Sequence, residues 1–337
     1  MNPNWRSFLE SADARFDGAA DEILDFGNLT DELSAASRQT VVVPLTHLAQ
    51  IDASGEDAKA FLHGQFTSDI NHLAAGQLQL SAWCSAKGRM LASFLIAHHD
   101  AGYRLMLAAD LEQVTLKRLQ MFVLRAKVKL ASLSDTQVLL GLSGPQATEV
   151  LTDAGLPIPE AMHGAVAGDA AVQALADGRY LISVSIERAV ALWQKLTLKA
   201  RPVGLPLWRR LDVQAAFPLV SAATKEEFVP QMADFEKLGG VSFHKGCYPG
   251  QEVVARTQYL GKVKRHLYRV RCDAPLAPGA DLLSPENPDQ AAGKILSASP
   301  SPAGGFEALA VVQSNFASSL HLGSREGPKV ESVAVNP

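Results

Sequence analysis

Short apolar runs alternate with amphipathic segments through the first two thirds of the chain. Runs typical of strands lie at residues 41–48, 78–83, 90–98, 103–108, 136–142 and 180–184. Segments with the apolar spacing of helices lie between them, at residues 55–62, 111–124, 145–154 and 186–198. Strands that alternate with helices in this way predict a fold of the α+β class.

The pattern differs at the two ends of the chain. Residues 1–40 are polar and contain several glycines, with a possible amphipathic helix around residues 20–26, and we interpret them as an N-terminal appendage. Beyond a linker near Gly261, strand-like runs at residues 266–272, 294–297 and 308–312 are separated by loops rich in Pro, Gly and Ser. This rhythm predicts a small C-terminal β-barrel.

Composition excludes several classes of protein. The chain has 337 residues, 47% of them hydrophobic, and a formal net charge of -4. A weakly acidic protein lacks the basic field that holds a phosphate backbone, so we expect no direct stable nucleic-acid binding. The N-terminal residues lack the apolar stretch of a secretory signal, and no run is long enough to cross a bilayer. These features predict a cytoplasmic protein without a membrane partner.

Residues 241–256 carry the strongest chemical signal. An extended run is followed by a turn rich in glycine, and Pro249 is a residue type favoured at the first position of a helix. Cys247 therefore lies just before a predicted helix N-terminus, with Lys245 and His244 nearby, and both features favour thiolate over thiol. The alternative, a small buried cysteine with no chemical role, is equally compatible with the spacing.

Two other functions for this segment receive weaker support. In a cysteine hydrolase, His63 or His72 would have to approach Cys247 in space, since His244 is too close in sequence for the usual geometry of a base. Metal binding is not predicted, because Cys84, Cys272 and the histidines match no zinc or cluster-ligand spacing.

Several blocks of the sequence carry a specific resemblance to a known family. They read FVPQM at 228–232, LGGVSFHKGCYPGQEVVAR at 238–256, FLHGQFTSDI at 61–70, WCSAKGRM at 83–90 and FVLRAKV at 122–128. These blocks resemble the YgfZ family, whose signature is KGCxxGQE and whose FLQGQxTxDV block is similar to residues 61–70. The resemblance covers most of residues 41–331.

The resemblance implies a fold and a ligand. YgfZ proteins are folate-binding relatives of the glycine-cleavage T-protein, so we expect two α+β units and a C-terminal β-barrel around a central opening. Tetrahydrofolate or another reduced folate would bind there. The implied segments are the appendage at 1–40, a folate-binding α+β domain at 41–130 plus 201–260, a second α+β domain at 131–200, and the barrel at 261–337.

The resemblance also implies a set of folate-binding residues. They are Trp208, Gln65, Asp69, Arg125, Lys245, Tyr248, Gln251 and Glu252. An indole face is a suitable partner for a flat pterin ring, although Trp208 is equally interpretable as a core residue. Capping and turn roles would equally explain Gln65, Asp69, Gln251 and Glu252. Lys245 is at least as well interpreted as a solvated lysine.

The chemistry of the related aminomethyltransferases depends on acidic residues that this chain does not carry at the corresponding positions. Aminomethyltransferases of the T-protein type carry an acidic pair after a glycine turn, and the corresponding positions here are Leu91 and Ala92. Apolar side chains cannot transfer protons or stabilise a developing positive charge. Classical aminomethyl transfer is therefore disfavoured, and the protein is not expected to be a conventional enzyme.

The leading hypothesis is thus a folate-dependent accessory protein for iron-sulfur cluster assembly or repair, and through it for tRNA modification. Cys247 would supply the reactive thiol, and the partners would be iron-sulfur proteins or cluster-assembly factors. The alternatives are a folate-dependent one-carbon transferase and a non-catalytic scaffold that folate stabilises.

Overall fold

The computed structural model describes residues 1–18, 21–261, 263–287 and 289–335. The helices are α1 (Pro3–Ser11), α2 (Leu29–Ala35), α3 (Ala58–Gln65), α4 (Glu112–Val123), α5 (Ala147–Ala154), α6 (Ile186–Leu196), α7 (Leu205–Gln214) and α8 (Gln251–Leu260). The strands of the first 208 residues are β1 (Arg15–Phe16), β2 (Ile23–Asp25), β3 (Val41–Pro44), β4 (Leu48–Ser54), β5 (Leu78–Cys84), β6 (Met90–His99), β7 (Gly102–Ala108), β8 (Lys129–Ser132), β9 (Gln137–Ser143), β10 (Gly164–Ala167), β11 (Ala170–Ala174), β12 (Tyr180–Ser185) and β13 (Arg201–Pro202). The later strands are β14 (Arg265–Cys272), β15 (Asp281–Leu283), β16 (Gly293–Pro300), β17 (Phe306–Gln313), β18 (Leu320–Leu322) and β19 (Lys329–Ala334).

The chain forms two compact units. The first contains residues 1–58, 73–79 and 96–208, and the second contains residues 59–72, 80–95 and 209–337. These units cut across the four predicted segments, because two short stretches of the N-terminal half belong with the C-terminal half. The α+β class itself is confirmed by the mixture of helices and sheets.

The first unit is built on a six-stranded sheet with the order β10-β11-β12-β9-β3-β13. Its strands pair antiparallel except β13, which runs parallel to β3. Helix α6 buries Ala189, Leu192, Trp193 and Leu196, which follow the three- and four-residue spacing of one helix face. Burial of this face in the core that also contains Leu140 and Ile182 supplies the main driving force for the unit.

The predicted N-terminal appendage is an integral part of this unit. Trp5 and Leu9 are buried in the same core, and the ring of Trp5 lies edge-on to Trp193 with 6.0 Å between centroids. The buried carboxylate of Glu32 accepts hydrogen bonds from the backbone N–H groups of Phe26 and Gly204. The possible helix around residues 20–26 is wrong, since residues 23–25 form β2 and Ala20 lies outside the described residues.

A second sheet has the order β5-β6-β7-β4-β8. The predicted strands at residues 78–83 and 90–98 correspond to β5 and β6, and the predicted helix at 111–124 corresponds to α4. Within the described part of the chain, no helix is long and apolar enough to cross a membrane.

The predicted C-terminal barrel is confirmed. Six strands close in the order β14-β17-β16-β15-β18-β19, which leaves no open edge in the sheet. The barrel encloses a core that includes Leu282, Ile295, Val312 and Leu320. Cys272 belongs to this core and is buried.

The contact between Gly141 and Trp208 generates a test of packing in the first unit. A Cβ on Gly141 would lie 2.4 Å from Cζ3 of Trp208, whose side chain is only 1% exposed. We expect Gly141→Ala to lower the free energy of unfolding by about 1–3 kcal/mol, the typical cost of overpacking a core. Urea denaturation measures this change.

Gly64→Ala is the matched control. A Cβ at this position in α3 meets nothing within 4 Å, so the substitution should be neutral or stabilise by up to about 1 kcal/mol. Equal destabilisation by the two substitutions would contradict the packing described for Trp208.

Candidate functional site

The segment that contains Cys247 lies in the second unit and leads into α8. The helix begins at Gln251, two residues after the predicted start, and its N-cap Gly250 has a left-handed φ of 80°. Cys247 is exposed, whereas Cys84 and Cys272 are buried. Residues 243–250, here called the motif loop, therefore present one thiol to solvent. The buried-cysteine alternative does not apply to Cys247.

Lys245 anchors the motif loop to the end of α3. Its Nζ donates to the carbonyl oxygens of His63 at 2.5 Å, Phe66 at 2.5 Å and Ser68 at 3.0 Å. The last carbonyls of a helix have no partners within the helix, and a cation at this end interacts favourably with the helix dipole. An ammonium group has three N–H donors, and here three carbonyl oxygens accept from it.

The environment of Lys245 also changes its protonation. Burial lowers the pKa of its amine to about 8, because desolvation disfavours the ammonium, and the negative charge of Asp69 opposes this shift only in part. Lys245 is therefore not the solvated lysine that the sequence allowed. Because its donors are already used, this geometry also leaves it poorly suited to bind a folate carboxylate.

A pair of histidines shares the carboxylate of Asp69 next to this anchor. Nδ1 of His63 lies 3.4 Å from Oδ1 of Asp69, and Nδ1 of His72 lies 2.8 Å from Oδ2. Burial and the nearby Lys245 lower the pKa of His63, although Asp69 opposes them. Burial alone would raise the pKa of Asp69, but its contacts with His72 and His63 more than offset this, and the net shift is downward.

Two facing glycines join the motif loop to the hairpin between β5 and β6. A Cβ on Gly250 would lie 2.3 Å from the carbonyl oxygen of Ser85. A Cβ on Gly88, which has a φ of 70°, would lie 2.9 Å from Cβ of Val253. Both positions require glycine, because the backbones approach too closely for a side chain. The WCSAKGRM and KGCYPGQE blocks thus contact each other.

Thr67 connects a third block to the same place. Its hydroxyl donates to the carbonyl of Gly240 at 2.6 Å and accepts from the N–H of Ala82 at 2.9 Å. The N–H of Ser242 donates to the Thr67 carbonyl at 2.9 Å. The blocks at 61–70, 83–90 and 238–256 therefore meet in the second unit.

Tyr248 fills the interior beneath the motif loop. Its side chain is buried, and its ring centroid lies 5.1 Å from Nζ of Lys245, a distance compatible with a cation–π interaction. Burial, with a smaller contribution from the nearby Cys84 thiol, raises the pKa of the Tyr248 hydroxyl. Burial also raises the pKa of Cys84 to about 12. Cys84 is thus an inert, protonated thiol at neutral pH.

Comparisons with known proteins agree with this arrangement of blocks. The tRNA-modifying protein YgfZ of Yersinia enterocolitica serotype O:8 / biotype 1B is 34% identical over 255 residues, which cover 74% of this chain and 77% of that protein. The protein of the same name from Pectobacterium carotovorum is 33% identical over 251 residues, covering 74% and 75%. The chain belongs to the YgfZ family. The resemblance inferred from the sequence blocks is confirmed.

Two further comparisons concern the architecture of this YgfZ family member. Residues 15–157 match the family described as the GCVT N-terminal domain. The crystal structure of the glycine cleavage system aminomethyltransferase T from Bartonella henselae aligns with a TM-score of 0.82, 21% sequence identity, and coverage of 100% of this chain and 97% of that chain. The predicted T-protein fold is confirmed.

Three of the predicted folate-binding residues surround the motif loop within the second unit. Oε1 of Gln65 is buried and accepts no hydrogen bond from the residues that the structure describes. The N–H of Gln251 donates to the carbonyl of Tyr248 at 3.2 Å, and Glu252 is exposed in the first turn of α8. Folate contacts at these positions stay predictions, and Gln65 has the clearest unsatisfied acceptor.

Trp208 and Arg125 belong to the first unit. One side of the Trp208 indole packs on Gly141, and the guanidinium carbon of Arg179 lies 4.5 Å from its ring centroid. This geometry favours the core role over stacking on a pterin, which would require the covering groups to move. Arg125 is exposed just after the end of α4.

The two residues predicted to stand at the positions of the transferase acidic pair are buried. Leu91 and Ala92 lie on β6 with almost no exposure. Across residues 1–18, 21–261, 263–287 and 289–335, no group of three or more His, Cys, Asp or Glu side chains is placed to hold a metal ion.

The protonation of Lys245 generates a prediction about pH. Its pKa is about 8 in the folded protein, against about 10.4 in an unfolded chain. Between these pH values the unfolded chain binds more protons than the folded protein does. The contribution of Lys245 to the free energy of unfolding therefore rises with pH, and it is lost as the pH falls to about 8. We expect the unfolding free energy of the wild type, minus that of Lys245→Met, to increase from about pH 8 to about pH 10.

Urea denaturation of both proteins at the two pH values measures this difference. Other groups titrate in the same range, but they are shared by the two proteins and cancel in the subtraction. A difference that stays constant or decreases with pH would show that the Lys245 amine is not desolvated.

Proposed function

We propose that this protein is a folate-binding accessory factor that supports iron-sulfur enzymes and, through them, tRNA modification. The observation that carries this proposal is the state of Cys247. It is the exposed member of three cysteines, and a half-buried lysine and two facing glycines hold its loop. The family relatives named tRNA-modifying proteins support the cellular role.

The proposed ligand is a reduced folate, and residues of the second unit suit it. A pterin ring presents N–H donors along one edge, and the buried Oε1 of Gln65 is an acceptor that lacks a donor among the described residues. Asp69, Gln251 and Glu252 offer further oxygen acceptors in the same unit. Bound folate would supply a one-carbon carrier or a structural support next to the thiol.

Aminomethyl transfer is the second candidate function, and the T-protein fold is the observation in its favour. The buried Leu91 and Ala92 argue against it, because that chemistry requires groups that exchange protons or balance a positive charge. A third candidate, a scaffold that folate stabilises, would leave an exposed and firmly held thiol without a role. We therefore favour the accessory factor.

The thiol role predicts the behaviour of Cys247→Ser in cells that lack the native protein. Because serine keeps the size of the side chain but is a far weaker nucleophile and metal ligand, we expect the fraction of cluster-dependent modified tRNA to fall to the level of cells without the protein. Mass spectrometry of digested tRNA measures this fraction.

Cys272→Ala is the control, because Cys272 lies in the barrel core. It should restore modification if the protein folds. Full restoration by Cys247→Ser at equal protein abundance would overturn the thiol role.

The folate site generates a binding prediction. Gln65→Leu removes the buried acceptor, so we expect the Kd for tetrahydrofolate to rise about tenfold, within the range for the loss of one buried hydrogen bond. Titration followed by tryptophan fluorescence measures the Kd, and Gln258→Leu, on the exposed surface of α8, is the control. Equal affinities for both variants and the wild type would remove Gln65 from the site.

A further inference from the structure

Two successive residues of the motif loop lie beside His63. The ammonium of Lys245 is bound to the carbonyl oxygen of His63 at 2.5 Å. A Cβ built on Gly246 would lie 3.8 Å from Nε2 of the His63 ring. The next residue of the loop is Cys247, whose Cα follows that of Gly246 by about 3.8 Å along the chain. The imidazole therefore faces the backbone that carries the exposed thiol.

Asp69 sets the orientation of this imidazole. Its Oδ1 lies 3.4 Å from Nδ1 of His63 without a hydrogen bond between them, and its negative charge favours the tautomer with the proton on Nδ1. The lone pair of Nε2 then points toward the motif loop. A histidine flanked by a carboxylate can activate a cysteine nucleophile, and Nε2 of His63 lies beside the residue that precedes Cys247.

We propose that His63, oriented by Asp69, accepts the proton of the Cys247 thiol. The inference rests on the thiol role proposed above and assigns the base that serves it. In the step, the S–H bond of Cys247 breaks, an N–H bond forms at Nε2 of His63, and the electron pair stays on sulfur as thiolate. The imidazolium later returns its proton to solvent, so no co-reactant is required.

The charges around His63 suit this role. The ionisable groups that act on it are Lys245, Asp69, His72 and Lys59. Burial and the positive charge of Lys245 lower its pKa, so the ring is neutral at neutral pH, and the opposing charge of Asp69 restores part of its basicity. Asp69 balances the imidazolium once the proton has arrived. The positive charge of Lys245, which is present below its pKa of about 8, also favours the thiolate.

The pH profile of Cys247 alkylation tests the proposal. Iodoacetamide is reacted with the full-length wild-type protein, and labelling at Cys247 is followed by peptide mass spectrometry, with Cys247→Ser as the blank. We expect His63→Gln to lower the rate near pH 7 roughly tenfold or more, because the base is lost. The two rates should converge above about pH 9.5, where the thiol ionises without help.

His72→Gln is the matched control. His72 contacts the other oxygen of Asp69, and its side chain is 86% exposed, so its loss should change the rate by less than about twofold. Asp69→Asn keeps the shape but not the charge, and it should reduce the rate near pH 7 in the same direction as His63→Gln.

A wild-type rate and profile in His63→Gln would overturn the proposal. If that variant does not fold, Asp69→Asn decides, since an unchanged profile there would exclude an oriented base. The readout uses neither folate nor tRNA. If the alkylation experiment excludes His63 as the base, the accessory role of Cys247 still stands. If Cys247→Ser leaves tRNA modification unchanged, the accessory role itself is overturned.

Discussion

The ammonium of Lys245, bound by three backbone carbonyls after α3, is the interaction on which the motif loop depends. The loop has no regular secondary structure before α8, so its position must come from side-chain contacts. Carbonyls at a helix end need donors, and a half-buried cation needs acceptors; each satisfies the other here. A single contact thereby fixes the backbone on which Cys247 and the start of α8 are carried.

The glycine contacts complete this constraint from the other side. Because Gly88 and Gly250 have no side chains, the β5–β6 hairpin and the N-terminus of α8 can lie directly against each other. The hairpin continues into β6, where Leu91 and Ala92 are buried. The chain thus has the T-protein fold, and this part of β6 contributes apolar packing to it. The second unit presents the thiol of Cys247 to solvent.

Much of this could be predicted from the sequence. The strand and helix runs and the barrel follow from local periodicity, and the place of Cys247 before α8 follows from Pro249 and the glycines around it. The partners of Lys245 could not be predicted, because they lie about 180 residues away in the chain. The sequence also predicts an appendage at residues 1–40, which the structure contradicts. The apolar face of Trp5 and Leu9 is too short to predict their burial against Trp193. The sequence is likewise compatible with two roles for Trp208, a core residue or a stacking partner for a pterin. The covered ring in the structure favours the core role.

The Lys245 ammonium holds the motif loop that presents Cys247. Amide hydrogen exchange of residues 243–250, compared between the wild type and Lys245→Met, tests this role most directly. The structure predicts that exchange in this segment accelerates about tenfold or more in the variant, because the loop opens without its anchor, while the barrel strands keep their protection. Unchanged protection of the motif loop in Lys245→Met would contradict the account.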